Sequence, residues 1–297
     1  MTHDHSSAAA SHRGRLTGVL LVGVAVLVIE LAGAVLANSL ALLADAGHVL
    51  ADVAGVGMAL LAISFAGRPA SNGRTFGFMR LEILAAVSNA LLLFGVAAFV
   101  LFVAWQRLSS PPDVESGLML AFAVAGGIAN GVSLLLLRDA QRESLNMRGA
   151  YLEVMGDLAG SGAVVVAAIV IGLTNCLGAD IAASVVIGLL ILPRTVALLR
   201  DATDVLLEAT PKGVDMDQVR QHILKAPGVA DCHDLHAWTI TSGMNVVSAH
   251  VVLAEGADGT ATLDALSACL SHDFDIEHCT FQLETEDRRR LEERSHA

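Results

Sequence analysis

The sequence predicts an α-helical membrane protein, six transmembrane helices followed by a small α+β domain. Three observations carry that reading. The 297 residues are 54% hydrophobic and only 16% charged, with a mean hydropathy of +0.63, whereas a soluble domain is roughly 45 to 50% apolar. Six apolar runs approach or exceed the ~20 residues that a helix needs to cross a bilayer. After Pro211 the pattern changes to short amphipathic and alternating segments. Aromatic residues make up 4% of the chain and Tyr151 is the single tyrosine, which speaks against a transmembrane β-barrel with its aromatic girdles.

The first run extends from Leu16 to about Ala37 behind Arg13 and Arg15. It is longer than the apolar segment of a signal peptide and reads as an uncleaved first span. Further runs lie at about 40 to 66, 82 to 106, 117 to 137, 151 to 173 and 179 to 199. Pro193 and Arg194 interrupt the last of these, so a bend or an exit from the membrane is expected there. Lys and Arg decide orientation. Arg13, Arg15, Arg68, Arg74, Arg80, Arg138, Arg142, Arg148, Arg194 and Arg200 fall on one side, and only Arg107 lies near the connectors of the other. The positive-inside rule therefore places both termini in the cytoplasm of a multi-pass protein of the cell's inner membrane.

Beyond Pro211, Val214 to Lys225 reads as a helix, Val229 to Thr241 and Met244 to Leu253 as strands joined at Ser242-Gly243, Thr260 to Ser271 as a helix and Cys279 to Leu283 as a strand. That order suits one sheet with helices on one face. The organisation expected is a disordered tail over 1–12 with His3, His5 and His12, a membrane domain over 13–206, the small domain over 207–285 and a charged tail over 286–297.

Charge narrows the partners. The formal net charge is −12, and residues 207–297 hold 16 acidic against 7 basic residues. Nucleic acid is excluded as a partner because phosphate binding wants a basic patch; cations suit an acidic, His-bearing domain. Cys176, Cys232, Cys269 and Cys279 show no C-x-x-C spacing and read as free thiols.

Ionisable residues inside spans cost about 2.5 to 3.5 kcal/mol each on insertion scales, so each demands a partner or a purpose. The second span reads Asp45-Ala-Gly-His48-Val-Leu-Ala-Asp52 and the fifth Glu153-Val-Met-Gly-Asp157. Residues three, four and seven apart share a helix face. Asp45, His48 and Asp52 thus form one polar stripe, Glu153 and Asp157 another. Turned towards each other, the two stripes offer an imidazole and three carboxylates to a dication. The segments also echo one another, His48-Val-Leu-Ala-Asp52-Val-Ala-Gly55 beside Glu153-Val-Met-Gly-Asp157-Leu-Ala-Gly160, with small residues that permit close helix approach. Asp45, nearer the outer end of its span, reads as an access or supporting residue of that site, the plainer alternative being simple contact with water. Glu30, Asn89 and Asn130 are equally well read as structural polar groups.

These motifs, with Phe76-Gly-Phe-Met-Arg80-Leu-Glu82, Arg148-Gly-Ala-Tyr-Leu-Glu153, Leu206-Leu-Glu-Ala-Thr-Pro211 and His233-Asp-Leu-His236-Ala-Trp238-Thr-Ile-Thr-Ser-Gly243, resemble the cation diffusion facilitator family, in order from about residue 13 to 285. The resemblance implies a ferredoxin-like cytoplasmic domain, a homodimer embedded in membrane lipid, and exchange of a cytosolic divalent metal, usually zinc, for protons. It implies a transport site of His48, Asp52, Glu153 and Asp157, and it adds His233 to His250 and Glu284, which strand alternation places on one polar surface as regulatory ligands. The chain departs from zinc members in carrying Glu153 where His is usual and in lacking histidine between Asp139 and Met147.

One His with three carboxylates leaves a formal −1 around a dication, a state penalised in low dielectric, so one carboxylate, Glu153 foremost, is expected to keep or gain a proton. The ligand set leans towards zinc while admitting cadmium, cobalt, iron or manganese. A membrane metal sensor and an intramembrane metallohydrolase are the other classes open at this point; the second lacks a His-Glu-x-x-His arrangement.

Overall fold

The computed structural model describes residues 6–66, 68–138, 145–274, 276 and 278–292; within these, the side chains of residues 6–19, 59, 63, 66, 136, 137, 145–150, 153, 291 and 292 fall outside the description. Six helices are long and apolar enough to cross a membrane. They are α1 (Ser6–Ala37), α2 (Leu40–Ala66), α3 (Leu81–Ser109), α4 (Ser116–Leu137), α5 (Leu145–Thr174) and α6 (Gly178–Leu206). The chain forms two compact units, Met1–Pro69 with Leu84–Leu199 and Ala70–Ile83 with Arg200–Ala297.

Within the first unit α1 packs on α2 and α4, and α5 on α2 and α4. With lipid outside and no water to expel between helices, close van der Waals packing must hold such a bundle, and small residues allow it. Its buried core accordingly includes Ala34, Ala37, Ala41, Ala44, Ala51, Ala123, Ala167 and Ala168. Gly33 lies so close to the Phe122 ring that a Cβ there would sit 2.5 Å from it, and Gly47 is as tight against Val96. Large apolar side chains such as Leu173, Val35 and Trp105 point outward.

The start of α2 is fixed by an acid from a distant helix. Asn38 adopts the left-handed conformation (φ 52°) that turns α1 into α2. Ser39 then caps α2, its Oγ accepting from the Leu42 amide at 3.1 Å. Asp180, 1% exposed on α6, accepts from Ser39 Oγ (2.6 Å) and from the amides of Leu40 (2.8 Å) and Ala41 (3.1 Å), with Arg107 Nη1 3.7 Å away. An anion at a helix N-terminus meets both the open amides and the positive end of the dipole.

Helix α6 stays helical through Pro193 to Leu206, although proline removes one backbone hydrogen bond there. One expectation needs correction. Helix α1 begins at Ser6, inside the segment read as a tail; His3 and His5 and the side chain of His12 lie outside the described residues.

In the second unit α7 (Met216–Lys225), β1 (Val229–Thr241), β2 (Met244–Leu253), α8 (Gly259–Phe274) and β3 (His278–Glu284) follow in the order anticipated, and α9 (Glu286–Glu292) lies in the expected charged tail. Asp215 caps α7 by accepting from the Asp217 and Gln218 amides. The sheet order is β1-β2-β3; β1 and β2 are antiparallel, and β2 and β3 parallel, joined across α8. Gly243 (φ 76°) makes the tight hairpin turn. Val219, Ile223, Val247, Ala249, Val251, Leu266 and Leu270 form the core between helices and sheet. Val246 and Val252 are buried as well, because α9 packs back on β2. Arg80 pairs with Glu208 at 2.8 Å, and the Glu82 carboxylate accepts from Ser242 Oγ at 2.7 Å and from Thr241 Oγ1.

Removing Asp180 would leave two amides and a hydroxyl unanswered beside a cation. Asp180→Ala is therefore expected to destabilise the bundle by ~3–5 kcal/mol, and Asp180→Asn by less, in denaturant unfolding of the detergent-solubilised protein.

Candidate metal centres

The α2 and α5 stripes do converge. His48 and Asp52 stand one turn apart on α2, and Asp157 faces them from α5; one ligand atom from each lies within 4.8 Å of the others. His48 Nε2 is 2.9 Å from Asp157 Oδ1 and 3.7 Å from Asp52 Oδ2. Neither His48 Nδ1 nor Asp157 Oδ1 has a hydrogen-bond partner among the described residues. His48 thus turns Nε2 towards Asp157 and Asp52, while Nδ1 is left without a partner among the described residues. Borderline N/O donors gathered this way, largely shielded from water, suit a small dication. Glu153 occupies the α5 turn before Asp157, but its side chain lies outside the described residues.

Asp45 lies buried beside the cluster, a position that fits a supporting residue and not simple contact with water. It is 4% exposed and accepts from Ser161 Oγ at 3.1 Å. Gly160 makes room for it, since a Cβ there would come within 3.0 Å of Oδ1. A position near the end of an apolar run says little about depth once a neighbouring helix overlies it.

The second constellation arises from strand register. His233 on β1 pairs directly with His250 on β2, and His250 with Gln282 on β3, two residues before Glu284. Side chains alternate along a strand, so Cys232, Val251 and Leu283 face the helices while His233, His250 and Glu284 share the opposite surface. Glu284, 3% exposed, approaches both imidazoles, with Oε2 3.1 Å from His233 Nε2 and Oε1 3.0 Å from His250 Nδ1. All three supply ligand atoms within 4.8 Å of one another.

Asp234 joins this group unannounced. Its Oδ2 is 3.7 Å from His250 Nε2 and its Oδ1 is 3.0 Å from His236 Nε2. Simple alternation would turn it away from His233, but the register shifts between His233 and His236 and Asp234 takes φ 49°, a bulge that re-aims the side chain. The adjacent acid in His233-Asp-Leu-His236 was the available signal. His236 stands more exposed than His233 and reaches only Asp234, His272 pairs with Asp273, and His278 is exposed. None of these three histidines joins the cluster among the described residues.

A transmembrane-domain model described as the cation efflux transmembrane domain matches residues 16–207, and one described as the cation efflux protein cytoplasmic domain matches 211–286. The chain belongs to the cation efflux family. It is thus a multi-pass membrane transporter of cations and not an enzyme. Among its relatives, the metal cation efflux system protein CzcD of Cupriavidus metallidurans is 45% identical over 95% of this chain and 89% of its own length. The zinc transporter ZitB of Escherichia coli is 37% identical over 96% and 93%. The human proton-coupled zinc antiporter SLC30A2 is 34% identical over 86% and 72%.

In this cation efflux protein all four cysteines are free. Burial pushes the Cys232 and Cys279 thiols up from 9.0 to about 11, so thiolate forms only as pH climbs towards that value. Both belong to the hydrophobic side of the sheet, away from His233, His250 and Glu284, and make poor additions to that ligand set. At pH 7 each carries roughly 100-fold less thiolate than an unperturbed cysteine. Maleimide labelling is expected to be slow at Cys232 and Cys279 and fast at exposed Cys176, with the difference vanishing in denaturant.

Proposed function

We propose that this protein is a proton-coupled antiporter that exports a divalent transition metal, zinc foremost, from the cytoplasm. The metal is its cargo, held by His48, Asp52 and Asp157 with Glu153 as the fourth donor. The observation that carries the reading is the meeting of His48 and Asp157 from two helices at 2.9 Å, with a ligand atom of Asp52 within 4.8 Å of both. The relatives named zinc transporter and proton-coupled zinc antiporter support the same choice of cargo and counter-ion.

Coupling follows from competition. Imidazole and carboxylate bind metal only when deprotonated, so loading releases protons and protonation from the acidic side expels the metal. Rocking of helices about the site then exposes it alternately to each side. With one imidazole and three carboxylates the loaded site is a harder donor set than one with two imidazoles, which relaxes discrimination against cadmium, cobalt, iron and manganese.

The arginine distribution supports an inner-membrane orientation with both termini and the C-terminal domain in the cytoplasm. In that domain His233, His250 and Glu284 bind a regulatory metal that neutralises part of an acidic surface and favours a homodimer, in keeping with the dimer designation of the matched domain family. A membrane sensor without transport would retain the second cluster but leave no role for paired ligands between α2 and α5.

In reconstituted vesicles with a set pH gradient, Asp157→Ala is expected to abolish proton-linked zinc uptake while the protein remains folded; full activity in that variant would remove Asp157 from the site. Glu153→His is expected to raise zinc transport relative to manganese and cobalt, and unchanged ratios would count against Glu153 as a ligand. Glu284→Ala is expected to lower zinc affinity of the C-terminal domain by ~10-fold or more while the transport site still binds; an undiminished second binding event in calorimetry would overturn the regulatory assignment.

A further inference from the structure

Glu30 is a buried acid to which the exchange gives no role, and its surroundings are built for it. It lies in α1, 1% exposed, and neither carboxylate oxygen has a hydrogen-bond partner among the described residues. Opposite it α4 carries Gly126, where a Cβ would sit 2.8 Å from Glu30 Oε1 and 3.8 Å from Ser161 Oγ. Ser161 on α5 donates to Asp45 Oδ2 on α2, and Asn130 on α4 donates to Ser161 Oγ at 3.5 Å. Gly160 leaves the space that Asp45 fills. Four helices therefore bring two carboxyl groups, a hydroxyl and an amide to one buried locus, and two glycines open the room for the acids.

The charged groups that act on Glu30 are Asp45 and His48 from α2 and Asp157 from α5; α4 presents only uncharged Gly126 and Asn130. Glu30 forms no ion pair or hydrogen bond with His48, Asp52 or Asp157 among the described residues. It stands near the metal cluster without belonging to it.

We propose that Glu30, with Asp45 and Ser161, is a proton-holding site separate from the metal ligands, occupied by a proton when the cluster is empty of metal and vacated when metal arrives. A carboxyl group without donors in low dielectric is stable as the neutral acid, and a dication entering nearby favours the anion. The balance is one proton released from the Glu30 O–H to solvent on loading and one taken up from the opposite side after the metal leaves. Ser161, able to donate and accept, links Asp45 to this locus. The inference rests on the exchange reading above and assigns one of its protons to a group that never touches the metal.

The test uses the full-length protein, purified in weakly buffered detergent and titrated with zinc. In the parent, zinc binding is expected to release protons and to diminish the infrared C=O band of a neutral carboxylic acid. Glu30→Gln is expected to release about one proton fewer per zinc, to lack that band and to flatten the pH profile of vesicle uptake, with zinc affinity within about threefold of the parent. Glu30→Asp is expected to restore the proton count in part. Ser161→Ala, which removes no acid, is expected to shift the uptake midpoint in pH. Proton counts, band and pH profile identical to the parent in Glu30→Gln, or an unchanged midpoint in Ser161→Ala should Glu30→Gln fail to fold, would overturn this assignment alone. A parent that releases no protons on zinc binding would instead sink the exchange reading itself.

Discussion

The account depends on one approach, that of His48 on α2 to Asp157 on α5. Neither residue could stand alone in an apolar helix without a heavy cost. In the proposed reading they offset that cost, together with Asp52, by binding metal, provided the two helices stay close and in register. Much of the membrane unit serves this end. Alanines fill the core so that backbones approach, and Gly160 admits the side chain of Asp45 directly between α2 and α5. Asp180 holds the first turn of α2 from across the bundle, fixing where the helix begins and so the depth at which His48 sits.

The same chemistry recurs in the C-terminal domain on a different scaffold. There strand pairing sets His233 beside His250, and Glu284 on the third strand lies between the two imidazoles. A helix pair defines its ligands by angular position and a sheet by register, yet both end with carboxylate against imidazole. Both clusters are half-buried: His48, Asp52 and Asp157 all lie at intermediate exposure, as do His233 and His250 beside the buried Glu284. In either setting protons and metal would compete for the same imidazole and carboxylate donors.

How much of this was legible in the sequence differs by element. The spans and strands could be read because run length and alternation are local properties, and β1 and β2 fall on the residues anticipated. The joint placement of His48, Asp52 and Asp157 was legible from i,i+4 spacing with the high cost of buried charge. Pro193 interrupts the apolar pattern but does not end the helix, since α6 continues to Leu206; local propensity does not register the neighbours that accommodate a proline inside a bundle. The partner of Asp45 was not legible either, because Ser161 lies far away in the chain. Asp180 as the cap of α2, and Asp234 turned by a bulge towards His250, depend on long-range geometry that no periodicity encodes.

The most direct measurement of the central claim is an anomalous difference map at the zinc absorption edge from crystals of the zinc-loaded full-length protein. The account predicts a peak between α2 and α5 with His48 nitrogen and the Asp52 and Asp157 oxygens at about 2.0 to 2.2 Å. Zinc found only at His233, His250 and Glu284, with no peak between α2 and α5 under saturating metal at a pH that deprotonates the ligands, would contradict it.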